Sequence, residues 1–163
     1  MAADPAPGAH PSAQGYRLRR ATLLDLRAVH RLERVIFPLD AYTYLDLAVL
    51  FVFPGMRNLK VVAPDGSLAG FVSAGPARVR RRGWIITLGV APAHQRRGIG
   101  RWLLDEAERR MGRPEMRLTV RISNAPAITL YRRAGYAVVE RKPGYYRNGE
   151  AGLVMERKTT VGS

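Results

Sequence analysis

Gln95-Arg96-Arg97-Gly98-Ile99-Gly100 stands between an apolar run ending Leu88-Gly89-Val90-Ala91-Pro92 and a helical pattern over residues 101–111. A strand, a glycine-bearing loop and a helix start, in that order, make an anion cradle. The first N–H groups of a helix have no carbonyl one turn back to bond, and the helix dipole adds partial positive charge at the same point. Two arginines border this cradle, and a pyrophosphate suits it. What the loop lacks narrows the ligand. A Walker loop needs Lys and then Ser or Thr after its last glycine, yet Arg101-Trp102 follow Gly100; a dinucleotide fingerprint needs a third glycine where Leu103 stands.

A second group of residues with chemical potential is Asn124 and Tyr131. They are seven residues apart, two helical turns, so one helix face can carry both. A phenol with a reference pKa of about 10 stays protonated at neutral pH and can donate to a departing anion. A tyrosine on an amphipathic helix can equally be core. Ser123 and Asn124 can cap the short helix that starts near Pro126, and Gly135 sits where a left-handed C-cap belongs.

The pattern Val90-x-Pro92-x-x-Gln95-Arg96-Arg97-Gly98-Ile99-Gly100 resembles the acetyl-CoA signature of the GNAT acetyltransferases, Gln/Arg-x-x-Gly-x-Gly/Ala, and has it in full. Residues 120–136, with Ser123-Asn124-Ala125-Pro126 and Leu130-Tyr131, resemble the family's second CoA-contacting segment in the form seen in protein N-terminal acetyltransferases. The likeness is greatest to the ribosomal-protein alanine acetyltransferases and their archaeal and eukaryotic relatives. Tyr145-Tyr146, followed by Ala151-Gly152-Leu153-Val154-Met155, is similar to the same branch, where a tyrosine pair helps bind the peptide terminus. The resemblance runs over residues 16–158.

This resemblance implies a mixed α/β fold: a largely antiparallel sheet of about six to seven strands, about four flanking helices and one splayed parallel pair. It implies acetyl-CoA as acetyl donor, held by Leu88, Gly89, Val90, Gln95, Arg96, Arg97, Gly98, Ile99, Gly100, Arg101, Asn124 and Tyr131. The Val90 N–H then polarises the thioester carbonyl, and Tyr131 is the general acid. A peptide or protein N-terminus is the implied acceptor, ribosomal proteins among the candidates, bound between the first two helices and Tyr145-Tyr146 with Phe37-Pro38-Leu39 in the wall. Pro38 can equally be a helix stop, and Tyr145 or Tyr146 sheet-edge packing.

The proton acceptor is where the chain departs from its relatives. Twelve residues before the tyrosine several of them carry Glu or His, and here Thr119 stands; a tyrosine of one eukaryotic branch is matched by Trp84. Glu33 on the first helix can act through water, although a solvated helix glutamate is the commoner reading. A weak base favours an α-amine, whose pKa of about 7.7–8.0 leaves roughly a tenth neutral at pH 7, over a lysine amine near ~10.4. Competing readings are a small-molecule amine or lysine acetyltransferase on the same fold, and a silent CoA- or nucleic-acid-binding module.

Composition sets the outer bounds. The chain has 163 residues, enough for one sizeable core. With no cysteine it forms neither a disulfide nor a cysteine acyl-enzyme, and the family resemblance implies direct transfer in a ternary complex. The net charge of +14 has two sources: steering of an anionic ligand or nucleic acid, and arginine-rich codon usage, since Lys60, Lys142 and Lys158 are the only lysines among 27 basic residues. Without an RNA-binding motif beside that charge, nucleic acid is not expected as a specific ligand. His10, His30 and His94 are scattered and no metal is expected. Residues 1–14 read as a disordered leader without a signal-peptide pattern, 15–158 as one domain and 159–163 as a tail. The apolar window at residues 45–53 is too short to span a membrane. A cytoplasmic protein is expected, as monomer or homodimer.

The elements expected to position these residues alternate clearly. Residues 16–20 read as a strand, and Thr22 as the cap of a helix with Leu24, Ala28, Leu32 and Val35 on its apolar face. A helix over 42–50 follows, then strands at 59–63 and 68–74 joined through Pro64-Asp65-Gly66-Ser67. Strands at 84–90 and 116–122 flank the helix at 98–111 and form the parallel pair, with Gly89 placed for a bulge that helps them splay or for simple close packing.

Overall fold

A computed structural model describes residues 10–159. Seven strands form one sheet: β1 (Arg17–Arg20), β2 (Arg57–Val62), β3 (Leu68–Pro76), β4 (Arg82–Val90), β5 (Glu115–Arg121), β6 (Ala137–Lys142) and β7 (Gly152–Lys158), in the order β1-β2-β3-β4-β5-β7-β6. Every neighbouring pair is antiparallel except β4 and β5. Four helices accompany it, α1 (Leu26–Ile36), α2 (Tyr44–Val52), α3 (Ile99–Met111) and α4 (Ala125–Arg133). This is the mixed fold the motifs imply.

The sheet is covered on both faces. Leu103, Leu104 and Ala107 of α3 and Tyr131 of α4 join Val61, Val72, Ile85, Met116 and Leu118 in the larger core cluster. On the other face Leu26, Val29 and Leu32 of α1 pack with Leu47 of α2 and Phe71 of β3. Strand β3 lies between the two layers and is buried along nearly its whole length, as a continuous apolar run requires. Gly70 lets α3 approach: a Cβ there would stand 2.9 Å from Leu103 Cδ1. Gly66 turns the β2–β3 hairpin at φ 88°, in line with its place in Pro64-Asp65-Gly66-Ser67.

Three expectations are corrected. The buried face of α1 is Leu26, Val29, Leu32 and Glu33, whereas Leu24 is 96% and Val35 61% exposed and Ala28 is exposed too. A 3-10 turn at Leu23–Asp25 precedes α1, so Leu24 is out of phase with it, and a charged residue on the inner face is invisible to an apolar count. Of the expected leader, Pro11–Gln14 form a 3-10 turn with Pro11 buried; residues 1–9, and 160–163 of the tail, lie outside the described residues. Thr159 is tied by its N–H to the Pro114 carbonyl at 2.7 Å. The bulge in β4 lies at Ile86, not at Gly89.

Candidate active site

The parallel pair is short. β4 and β5 pair only at Arg82, Gly83 and Trp84 against Glu115, Met116 and Arg117, and then part. β4 stays with β3 up to Val90, and β5 stays with β7 to Arg121, so the two halves of the sheet diverge as each follows its own partner. The register of β3 and β4 shifts between Ser73 and Ala74, leaving Ile86 as the extra residue; the bulge that bends β4 lies there. Gly89 pairs regularly with Phe71, and a Cβ on it would come 2.7 Å from Ile36 Cδ1. Its role is close packing against the end of α1.

The gap is a cleft of about 570 Å³. It is lined from one face by Asn124, Ala127 and Tyr131 of α4 and from the other by Glu33 of α1 with Phe37, Asp40 and Tyr42 after it. Trp84 to Leu88 of β4 and Leu118 to Arg121 of β5 form its sides, and Lys142, Tyr145 and Tyr146 its remaining edge.

On the α3 side the loop after β4 keeps an open cradle. Ala91 N–H donates to Ala69 O at 2.8 Å, so the polar groups of Val90, one residue earlier, point away from β3 and into the gap. The Val90 carbonyl there accepts from Gln95 Nε2 at 3.1 Å. Intrahelical bonding of α3 begins with Trp102 N–H to Gly98 O at 3.1 Å, so the amides of Ile99, Gly100 and Arg101 face outward as the first turn of any helix does. Left-handed backbone at Arg96 (φ 61°) and Gly98 (φ 81°) turns the loop into that helix. The Arg101 guanidinium is taken by Asp105 at 3.0 Å and by the Arg133 carbonyl at 3.2 Å; it ties α3 to α4. Of the residues expected around a CoA, Leu88, Asn124 and Tyr131 line the cleft, while Gln95, Arg96, Arg97, Gly98, Ile99, Gly100 and Arg101 sit beyond it at the start of α3.

Asn124 is the N-cap of α4, its Oδ1 accepting from Ala127 N–H at 3.3 Å, with Pro126 in the first turn and Gly135 at φ 94° after the last. Ser123 does not cap: its N–H and hydroxyl both go to Glu150 Oε2, the former at 3.0 Å. Tyr131 is 7% exposed and packs at a tilt on Tyr136, ring centroids 5.9 Å apart. Burial, with a smaller contribution from Tyr146, pushes its phenol up to about 12.

Glu33 is not the solvated residue its helix position suggests. It is 3% exposed, its Oε1 accepts from the Thr87 hydroxyl, and its Oε2 has no hydrogen-bond partner among the described residues. Burial raises its carboxyl above the ordinary glutamate range, while the Thr87 hydroxyl and the Tyr42 main chain pull the other way. Thr119 and Trp84 both line the cleft and neither offers a base.

The far wall is bound by charge. Arg121 at the end of β5 holds both Asp40 oxygens, Nη2 to Oδ1 at 2.6 Å, and through Nη1 reaches Glu150 Oε1 and Asn148 Oδ1, each at 2.9 Å. Its guanidinium lies 4.1 Å from the Tyr146 ring centroid, and Lys142 Nζ lies 5.5 Å from that of Tyr145. One side chain thus joins the turn after α1 to the β6–β7 connection. Phe37, Tyr145 and Tyr146 stand at the cleft as expected, but Pro38 and Leu39 are exposed and do not line it. Sequence reading misses Thr87, Asp40, Tyr42, Arg121 and Glu150; Asp40 and Arg121 are 81 residues apart and Glu33 and Thr87 are 54 apart, so no local spacing links them. Among the described residues no group of three or more His, Asp or Glu could hold a metal, and no helix is long and apolar enough to cross a membrane.

Comparison with known proteins agrees with this geometry. An N-alpha-acetyltransferase of Sulfurisphaera tokodaii is 27% identical over 154 residues, 86% of this chain and 91% of the relative. A streptothricin acetyltransferase of Streptomyces lavendulae is 37% identical over 106 residues, 61% of this chain and 56% of the relative. Among solved structures, the ribosomal-protein-S18-alanine N-acetyltransferase of Escherichia coli superposes with a TM-score of 0.79 at 25% identity, covering 91% of this chain and 96% of that one. The model of the acetyltransferase (GNAT) family matches residues 26–136, which takes in α1, the cleft strands, the α3 loop and α4: the chain belongs to the GNAT family and is an N-acetyltransferase.

Proposed function

We propose that this enzyme moves an acetyl group from acetyl-CoA to the α-amine of a peptide or protein N-terminus by direct transfer in a ternary complex. The observation that carries the proposal is the cleft between β4 and β5, where a buried phenol on α4 and a buried carboxylate on α1 line one space from opposite faces of the sheet. The residues present fit acetyl-CoA. The outward amides at the start of α3, with Arg96 and Arg97, suit its phosphates; the Val90 amide points into the gap, and Leu88 and Asn124 border it.

Acetyl-CoA supplies the acetyl group as a thioester with a thiolate leaving group. The chain's residues then divide the proton work. Glu33 Oε2, unpartnered and of raised pKa, takes the proton of the acceptor amine directly or through a water. Tyr131 Oη, which keeps its proton to about pH 12, gives one to the departing sulfur. The Val90 N–H polarises the thioester carbonyl. Phe37, Tyr145 and Tyr146 form the acceptor's wall, and the Arg121 network holds that wall in place. An α-amine is neutral in roughly a tenth of molecules at pH 7, within reach of a single buried carboxylate, whereas a lysine amine is neutral in well under ~0.1%.

A second reading, a small-molecule amine acetyltransferase, is favoured by the 37% identity to a streptothricin acetyltransferase. Against a polycationic acceptor stands the charge of the cleft, where Arg121 and Lys142 accompany the carboxylates of Glu33 and Asp40. Release of free CoA against peptides differing in first residue, α-blocked lysine peptides and common amines separates the readings. Turnover confined to free α-amines is expected. Turnover only on blocked lysine peptides or small amines selects the second reading, and CoA binding without turnover selects a silent module.

A further inference from the structure

The stretch before β1 is built onto the phosphate loop. Pro11–Gln14 wind into a 3-10 turn that His10 opens, its Nδ1 accepting from Ser12 N–H at 3.2 Å, and that Gly15 closes at φ 85°. Four contacts carry this segment across to the loop. The His10 ring meets the Trp102 ring edge-on, centroids 4.8 Å apart. Pro11, buried, lies beside Gly98, where a Cβ would stand 3.7 Å from Pro11 Cγ. Gln14 Oε1 accepts from Arg97 Nη1 at 3.4 Å, and Tyr16 Oη is hydrogen-bonded to His94 Nδ1 at 2.8 Å just before the loop.

The loop needs such support. Its amides converge only if Arg96 and Gly98 both hold left-handed backbone, a conformation that strains a residue with a Cβ and that glycine shares with many others. A free loop would spread over several conformers, and a ligand would have to order it on binding. The turn lies against Gly98 and meets Trp102 in the first turn of α3, while Tyr16, just after the turn, holds His94 ahead of the loop. The turn's bond to Arg97, at 3.4 Å, uses one of five guanidinium donors and draws the fork toward the turn.

We propose that the His10–Gln14 turn is part of the donor site: a brace that holds residues 95–98 in their anion-binding conformation and positions Arg97 for a phosphate of CoA. The inference rests on the reading of this loop as the CoA site. His10 and Gln14 are positioning residues, and the effect they exert falls on donor affinity alone.

The test uses free CoA as probe, titrated by calorimetry into the full chain, into a variant lacking residues 1–14, and into His10→Ala, Gln14→Ala, Trp102→Ala and Trp102→Phe. Steady-state kinetics are run with each substrate varied in turn. Expected is a rise in CoA Kd of about tenfold for the deletion and about threefold for His10→Ala and Gln14→Ala, with kcat and acceptor KM within about twofold of wild type. Trp102→Phe keeps the ring contact and the affinity; Trp102→Ala loses both. Wild-type affinity in both His10→Ala and Gln14→Ala overturns the brace, even if the deletion variant unfolds. A rise in acceptor KM equal to that for acetyl-CoA also overturns it, because general loosening would produce that pattern. A full chain that binds no CoA overturns the reading of the loop itself, and the brace with it.

Discussion

The two sides of the cleft are built in opposite ways. The donor side is largely contiguous: residues 88–101 supply the strand end, the loop and the helix start within one strand-loop-helix turn, to which Asn124 and the proposed brace at residues 10–14 are added from elsewhere. The acceptor side is a mosaic in which Glu33 meets Thr87, Asp40 meets Arg121 and Ser123 meets Glu150, partners that lie 54, 81 and 27 residues apart. A contiguous site relies on backbone geometry, which few residue types can change; a mosaic relies on pairs of side chains, each open to replacement. Variation in acceptor on a fixed donor chemistry is the expected consequence.

Tyr131 stands where the two sides join, and its loss should cost most. Tyr131→Phe removes one oxygen from a residue already packed on Tyr136, so the fold persists while kcat falls about 10²- to 10³-fold. Both KM values should stay near wild type, checked by initial rates with each substrate varied. A loss confined to acceptor KM would move Tyr131 into the mosaic.

Glu33→Gln comes next, with an expected fall in kcat of about 10- to 100-fold. The wild-type rate should decline as pH drops through the raised carboxyl pKa, because only the anion accepts a proton, and the variant should lack that limb. Stability carries the matching sign. A carboxyl whose folded pKa is raised binds more protons folded than unfolded, so its contribution is complete below the ordinary glutamate range and is lost as pH rises through the folded value. Glu33→Gln should therefore match wild type in acid and exceed it at pH 8, measured as denaturant midpoints at the two pH values. Equal midpoints at both would show that burial does not perturb this carboxyl.

Arg121→Met cuts the clasp between the two acceptor walls. Charge-assisted hydrogen bonds are worth about 1.5–3 kcal/mol, so a rise in acceptor KM of about tenfold is expected, with acetyl-CoA KM unchanged. Asp40→Asn should give part of this effect, and the double variant little more than Arg121→Met, since both act through one network. Equal rises in the two KM values would erase the distinction between the sides.

The same contrast governs what the sequence makes legible. The cradle, the caps at Asn124 and Gly135 and the β2–β3 turn depend on local backbone rules, and they stand where residue type and spacing put them. Ser123 shares the capping chemistry of Asn124 yet serves Glu150, because a carboxylate on a distant loop competes for its hydroxyl. Gly89 and Ile86 show the limit within one strand. A glycine marks a place where a side chain does not fit, but whether the cause is a bulge or a neighbouring helix depends on α1, which comes from another part of the chain. Arg121 carries no local mark at all, being one arginine among many until Asp40 and Glu150 are brought to it.

Helix α1 allows the finest test, because the acceptor side depends on its phase. If Leu24 and Val35 faced the core, as their spacing with Ala28 and Leu32 suggests, Glu33 would turn away from the cleft. In the fold both are exposed, and the inner face is Leu26, Val29, Leu32 and Glu33. Leu24→Ser and Val35→Ser should therefore each change stability by no more than about 0.5 kcal/mol, the usual span for surface sites. Leu26→Ala should cost about 2–5 kcal/mol, as a buried leucine does. Thermal melts of the three variants decide it. A large loss from Val35→Ser would mean that α1 is turned about its axis with Glu33 out of the cleft, and the acceptor chemistry would then need another base.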